Sequence, residues 1–218
     1  MKTYKLNRLN EYPWLENNSI NDIKDLVTKK NSVILLKNKL LKDFNIKDID
    51  LITGGPPCQG YSGIGHRRSY SVDKKQLPSN YLYEDMAYVI HKMEPKIFLF
   101  ENVRGLINAR WTKEGKKGEI WQDVLKKFGS LKKYNINWSL VYAKDYGVPQ
   151  NRPRVLLVGV RKDISIKKIS SIAGGFLPEP TNGPPNIEQI FSDIVDPNYI
   201  CGGKTESYPK PARGKWHK

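Results

Sequence analysis

Cysteine is scarce in this 218-residue chain: Cys58 and Cys201 are the only two, far apart and outside any CxxC or Cys/His ligand spacing. That excludes a disulfide framework and a structural zinc site, and makes any functional cysteine a free thiol. Histidine is almost as rare, with three residues in neither triad nor metal spacing, so no metal is expected. No apolar run approaches the length of a membrane span, and Met1 opens a lysine-rich polar stretch rather than a signal peptide. The expectation is a soluble cytoplasmic protein with no membrane partner. Glycine is absent from the first 47 residues, and no internal repeat is visible. Acidic residues are outnumbered: 37 Lys and Arg against 22 Asp and Glu leave a net charge of +15. That balance favours a polyanion, nucleic acid first, through counterion release and steered encounter, with a solvated lysine surface as the competing explanation. The length allows one principal core with an appended segment.

What is present alternates between two periods. The run IDLIT at 49–53 reads as a buried strand that stops at Gly54-Gly55-Pro56-Pro57, a sequence that neither continues a sheet nor starts a helix smoothly. A sharp loop carrying Cys58 follows. Leu82, Met86, Val89, Ile90 and Met93 recur at helical spacing, with Pro95 as the stop. Residues 96–100 then read as a second buried strand that delivers Glu101 and Asn102 at its end. Ile120, Val124, Leu125, Phe128 and Leu131 mark another amphipathic helix, in which Gly129 is discordant, and NWSLVYA (137–143) and VLLVGV (155–160) follow, the latter a strongly apolar strand. Near the start, Asn18-Ser19 before Ile20, Ile23, Leu26 and Val27 suggests a capped short helix, followed by a strand at SVILL (32–36). Residues 174–185 are rich in Gly and Pro, and 199–218 lack periodicity, so both read as loop or linker. The pattern predicts an α/β fold, with ligands beyond the carboxyl ends of the strands, where Cys58 and Glu101 both fall.

Three segments carry the chemistry: GGPPCQGYS with Cys58, FENVRGL with Glu101, and YGVPQNRPRVLLVGVR with Arg152 and Arg154. In this order they resemble three consecutive signature motifs of the DNA (cytosine-5)-methyltransferase family, over about Asp48 to Arg161. The chemistry of that family explains the residue types. Cytosine is a poor nucleophile at carbon 5, but a thiolate added at carbon 6 creates an enamine whose carbon 5 attacks an electrophilic methyl group. The reaction needs a cysteine on a rigid exposed turn, an acid beside ring nitrogen 3, and fixed donors on the carbonyl oxygen.

The resemblance implies that Cys58 bonds to carbon 6, that Glu101 meets nitrogen 3 and the exocyclic amine, and that Arg154 meets the carbonyl oxygen. Arg152 would support the loop or a phosphate. Pro56, Asn80 and Leu82 would border the methyl donor, S-adenosylmethionine. Gln59, Gly60 and Ser62 lie on the loop that closes over a base flipped out of duplex DNA. His66, Arg67 and Arg68 are expected to contact phosphate on that mobile loop, Lys74 and Lys75 backbone, and Gln150 the DNA. Residues 60–79, polar and basic, form the expected lid. Trp111, Trp121 and Trp138 are expected to pack rather than to stack on bases. A bacterial or phage restriction-modification setting follows by analogy.

The family's glycine-rich turn after the first strand, FxGxGG or similar, is not found before Cys58, and lysines occupy LLKNK at 35–39, where an acidic residue would meet the adenine. The implied fold is therefore a Rossmann-like methyltransferase sheet, incomplete at the N-terminal cofactor motif and lacking most of the target recognition domain. Residues 1–170 would form a partial catalytic domain and 171–218 a linker and the start of target recognition, with a second polypeptide as a candidate source of the rest. Two other functions stay open: a catalytically silent or partner-dependent DNA-binding fragment, and an RNA cytosine methyltransferase. An enzyme acting on free pyrimidine nucleotides fits the chemistry but not the charge.

Overall fold

The computed structural model describes residues 22–57, 78–165, 167–181, 183, 186 and 190. Two short helices lead in, α1 (Ile23–Val27) and α2 (Ser32–Asp43). Then follow β1 (Leu51–Gly54), α3 (Leu82–Met93), β2 (Ile97–Val103), α4 (Glu119–Gly129), β3 (Tyr134–Tyr142) and β4 (Pro153–Arg161). Among the described residues the four strands form one mixed sheet in the order β1-β2-β4-β3. β1 and β2 are parallel, and β4 runs antiparallel to both β2 and β3.

The core lies on one face of this sheet. Alternation along β2 turns Phe98, Phe100 and Asn102 to that face, and Val155 and Leu157 join it from β4. α3 and α4 cover it with Met86, Ala87, Ile90, Ile120, Val124 and Phe128. Phe98 stacks on Phe128 and meets Tyr134 edge-on. Room for the Phe98 ring comes from its β4 partner Gly159, where a Cβ would lie 2.0 Å from Phe98 Cε1. Trp111 and Trp121 are buried as expected, and Trp138 packs edge-on against Trp121 while staying partly exposed.

Several expectations are changed by the structure. SVILL at 32–36 is the first half of α2, not a strand: Val33 and Leu36 share one helical face and pack against Val89 and Met93 of α3. The β-branched pair Val33-Ile34 favours a strand locally, and packing at helical period overrides that preference. The strand expected at IDLIT is present from Leu51 on as β1, but as an edge strand among the described residues, with Leu51 54% exposed rather than buried. The first helix is capped within the described residues by Asp22, whose carboxylate accepts from Lys24 N–H, whereas Asn18-Ser19 lie outside them. Gly129 ceases to be discordant, because it is the last residue of α4. The stretch read as linker includes a 3₁₀ turn at Ile172–Gly175 that packs against β3 and β4, and Thr181 N–H donates to the Asp145 carbonyl.

Candidate active site

The parallel register of β1 and β2 sets Gly54 opposite Phe100, so both strands reach the same sheet end together. β1 gives way to Gly55-Pro56-Pro57, while β2 runs on through Glu101 and Asn102, which are strand residues rather than the first residues of a loop. The antiparallel β4 starts at that same end with Pro153 and Arg154. Glu101 pairs with Leu156 and Val103 with Arg154, which makes Arg154 the diagonal neighbour of Glu101 on one face. The diagonal closes as an ion pair, Arg154 Nε to Glu101 Oε1 at 2.5 Å, with the side chains 20% and 41% exposed. Arg154 Nη1 also donates to the Pro153 carbonyl at 2.8 Å, which fixes the guanidinium plane.

The β1 loop is pressed against this pair. A Cβ on Gly55 would stand 2.9 Å from Glu101 Oε2, so glycine is what lets the loop backbone lie beside the carboxylate. On the opposite face of β2, the Asn102 amide donates to the Pro56 carbonyl at 3.2 Å and its oxygen accepts Val103 N–H at 2.9 Å. The sequence pattern singled out Glu101 and Arg154 but gave Gly55 and Asn102 no role. The signal lay in GGPP and ENV, where two consecutive prolines remove two backbone donors from the loop.

Of the other expected residues, Arg152 is exposed, its carbonyl accepting Ala143 N–H, and Gln150 is exposed in a tight turn whose carbonyl accepts Arg152 N–H. Asn80 is buried in the 3₁₀ turn Pro78–Tyr81, and Leu82 opens α3, half-buried. Cys58, Gln59, Ser62, His66, Arg67 and Arg68 lie outside the described residues, as do Lys74, Lys75 and Cys201. A carboxylate and a guanidinium on one face suit a planar heterocycle with a donor edge next to a carbonyl. A nucleoside-bearing methyl donor needs a strand, a glycine turn and a helix N-terminus. Residues 22–47 instead form helices without glycine, so the described residues do not fit that group beyond the wall that Pro56, Asn80 and Leu82 would offer.

Comparison with known proteins bears on the same residues. The family model for C-5 cytosine-specific DNA methylase matches residues 1–210. The chain belongs to that family. It is 37% identical over 175 residues to the type II methyltransferase M.BsuRI of Bacillus subtilis, covering 76% of this chain and 36% of the relative. It is 34% identical over 165 residues to M.AquIA of a Picosynechococcus strain, covering 74% and 58%. A solved structure of a putative DNA modification methyltransferase from an Escherichia coli prophage aligns with TM-score 0.45 at 27% identity, over 75% of this chain and 41% of that one. This C-5 cytosine methylase chain thus spans roughly a third to three-fifths of the length of these curated relatives. Among its described residues no helix is long and apolar enough to cross a membrane.

Proposed function

We propose that this chain activates cytosine in double-stranded DNA for methylation at carbon 5, with Cys58 as nucleophile and Glu101 and Arg154 holding the ring. The observation that carries this is the Glu101–Arg154 pair on one sheet face with the Gly55-Pro56 loop against it, two residues ahead of Cys58. The Cys58 thiolate adds to carbon 6, and the electron pair displaced from the 5,6 double bond is delocalised toward nitrogen 3. Glu101, donating a proton or hydrogen bond there, and Arg154, at the carbonyl oxygen, stabilise that charge. Carbon 5 then takes an electrophile. Loss of its original proton and expulsion of the thiolate restore the aromatic ring.

The chemistry requires the base to leave the duplex stack. Gln59, Ser62, His66, Arg67, Arg68 and Gln150 are the proposed DNA contacts, Arg152 supporting them, and the net charge of +15 supplies the attraction. The mixed sheet is read as one half of a Rossmann-like methyltransferase sheet, with residues 1–170 catalytic and 171–218 leading toward target recognition. The methyl donor is S-adenosylmethionine by family, and a second polypeptide is a proposed source of its binding turn. β1 has one strand neighbour among the described residues, and its Leu51 is exposed, as an edge awaiting a further strand would be. A type II restriction-modification setting accords with the names of the relatives.

The test is transfer of radiolabelled methyl from S-adenosylmethionine to mixed-sequence duplex DNA, with transfer RNA as the competing substrate and Cys58→Ala as control. Label on DNA that depends on Cys58 supports the reading. Label on transfer RNA alone replaces it with RNA methylation. DNA binding without transfer, in the presence of a glycine-turn subunit, reduces the chain to a silent binding module.

A further inference from the structure

Asn102 is a polar residue on an apolar face. It follows Phe98 and Phe100 at the strand period, the residue is 4% exposed, and both polar ends of its amide are used. Buried amides cost free energy unless hydrogen-bonded, so an apolar residue would serve the core as well unless the amide has a task of its own. Its donor is aimed at the Pro56 carbonyl. Pro56 and Pro57 contribute no N–H, so neither can donate to a sheet ladder, and the Pro56 carbonyl takes its donor from a side chain. Asn102 supplies that donor while its oxygen, held by Val103 N–H, fixes the amide orientation.

Two consecutive residues of β2 thus grip the site from opposite faces: Glu101 carries the carboxylate, and Asn102 holds the loop that leads to the nucleophile. Pro56, the tethered residue, precedes Cys58 by two positions in the chain. We propose that Asn102 is a positioning residue that registers the Cys58 loop against Glu101, so that thiolate and acid address one ring together. This rests on the reading of Cys58 and Glu101 as the reacting pair, and adds a residue that touches neither base nor thiol.

The experiment is release of tritium from carbon 5 of cytosine in duplex DNA, without methyl donor. Thiolate addition at carbon 6 lets carbon 5 take a solvent proton; loss of the tritium and elimination of the thiolate then regenerate cytosine. The assay therefore reads the addition step without methyl transfer. Asn102→Asp keeps the size and the acceptor for Val103 N–H but loses the amide donor, and Asn102→Ala removes both. Each is compared with wild type for kcat, KM for DNA, thermal midpoint and pH profile. The expected result for Asn102→Asp is a fall in kcat of about 10- to 100-fold with KM within about 2-fold. Lowering the pH should narrow the gap to wild type, because the introduced carboxyl, once protonated, again donates to the Pro56 carbonyl; Asn102→Ala should show no such narrowing. Loss of kcat in proportion to the unfolded fraction, or wild-type kcat in both folded variants, overturns the positioning role and leaves the chemistry standing. A wild-type chain that releases no tritium overturns the reading of Cys58 and Glu101 and this role with it.

Discussion

Replacing Gly55 with alanine should separate catalysis from stability. The added methyl would sit 2.9 Å from Glu101 Oε2, and ordinary contact begins near 3.4 Å, so the carboxylate must retreat by about 0.5 Å. Oε2 is the free end of a side chain 41% exposed, so the retreat is a torsional change rather than a core strain. Against it stands the reduced entropy of the unfolded chain, worth roughly 0.4–1 kcal/mol, and loss of a partly exposed ion pair costs at most about 1 kcal/mol. Net stability should therefore stay within about 1 kcal/mol of wild type. Catalysis has no such tolerance: misplacement by about 1 Å can cost about 100-fold, and half of that predicts roughly 10-fold, near 1.4 kcal/mol of barrier. Gly54→Ala is the contrast, because its Cβ would meet the buried Met86 Sδ at 2.7 Å and should cost about 1–3 kcal/mol of stability. Urea denaturation and tritium release from carbon 5 measure the two effects separately. A Gly55→Ala variant that exchanges at the wild-type rate, or one destabilised as much as Gly54→Ala, refutes the placement of the loop against Glu101.

Three further outcomes follow from the core and the sheet ends. Gly159→Ala drives a Cβ to 2.0 Å from the fully buried Phe98 ring and should destabilise by about 3 kcal/mol or more, measured by urea midpoint. Tyr134→Phe removes the 2.7 Å bond from the buried hydroxyl to the Pro95 carbonyl and should cost about 1 kcal/mol in the same assay. Burial also raises the Tyr134 hydroxyl above its ordinary range, so its contribution holds below pH about 10 and fades as pH rises beyond it; Tyr134→Phe should flatten part of the alkaline loss. At the other end of the scale, hydrogen bonds from Arg161 hold Asp48 and Asp163 below the usual carboxylate range, and Lys133 does so for Glu94. Depressed carboxylates stabilise above their unfolded values near pH 4 and lose that contribution as pH falls through the folded ones. Thermal midpoints should drop on acidification below about pH 4, and Arg161→Gln should shrink the drop; an unchanged acid slope in Arg161→Gln contradicts the assignment.

The sequence made most of the sheet legible because its elements obey one period at a time. α3, α4, β2 and β4 each present a clean apolar face, and the motif residues fall where strands end. It failed where local and tertiary preferences compete. Val33-Ile34 favours a strand locally, and only the contacts of Val33 with Val89 and Met93 reveal a helix. The exposure of Leu51 was hidden because burial of an edge strand depends on what lies beside it, which an apolar run cannot state. Glu101 and Arg154 were recognisable by residue type, but their 2.5 Å pairing is a consequence of the β2–β4 register, which joins residues 53 apart in the chain through the 101-to-156 and 103-to-154 partners. Asn102 went unassigned because a buried amide reads as an interruption of an apolar strand until its partner, the Pro56 carbonyl, is known.

The central claim is that Cys58 forms a covalent bond to carbon 6 of cytosine. A duplex containing 5-azacytosine tests it most directly, since a ring nitrogen at position 5 makes carbon 6 more electrophilic. After incubation, denaturation and digestion, peptide mass spectrometry locates any adduct. The account predicts a denaturation-resistant complex with the nucleotide attached to the peptide containing Cys58, abolished in Cys58→Ala and sharply reduced in Glu101→Gln. An adduct on Cys201, or tight binding of the duplex with no covalent product, contradicts it.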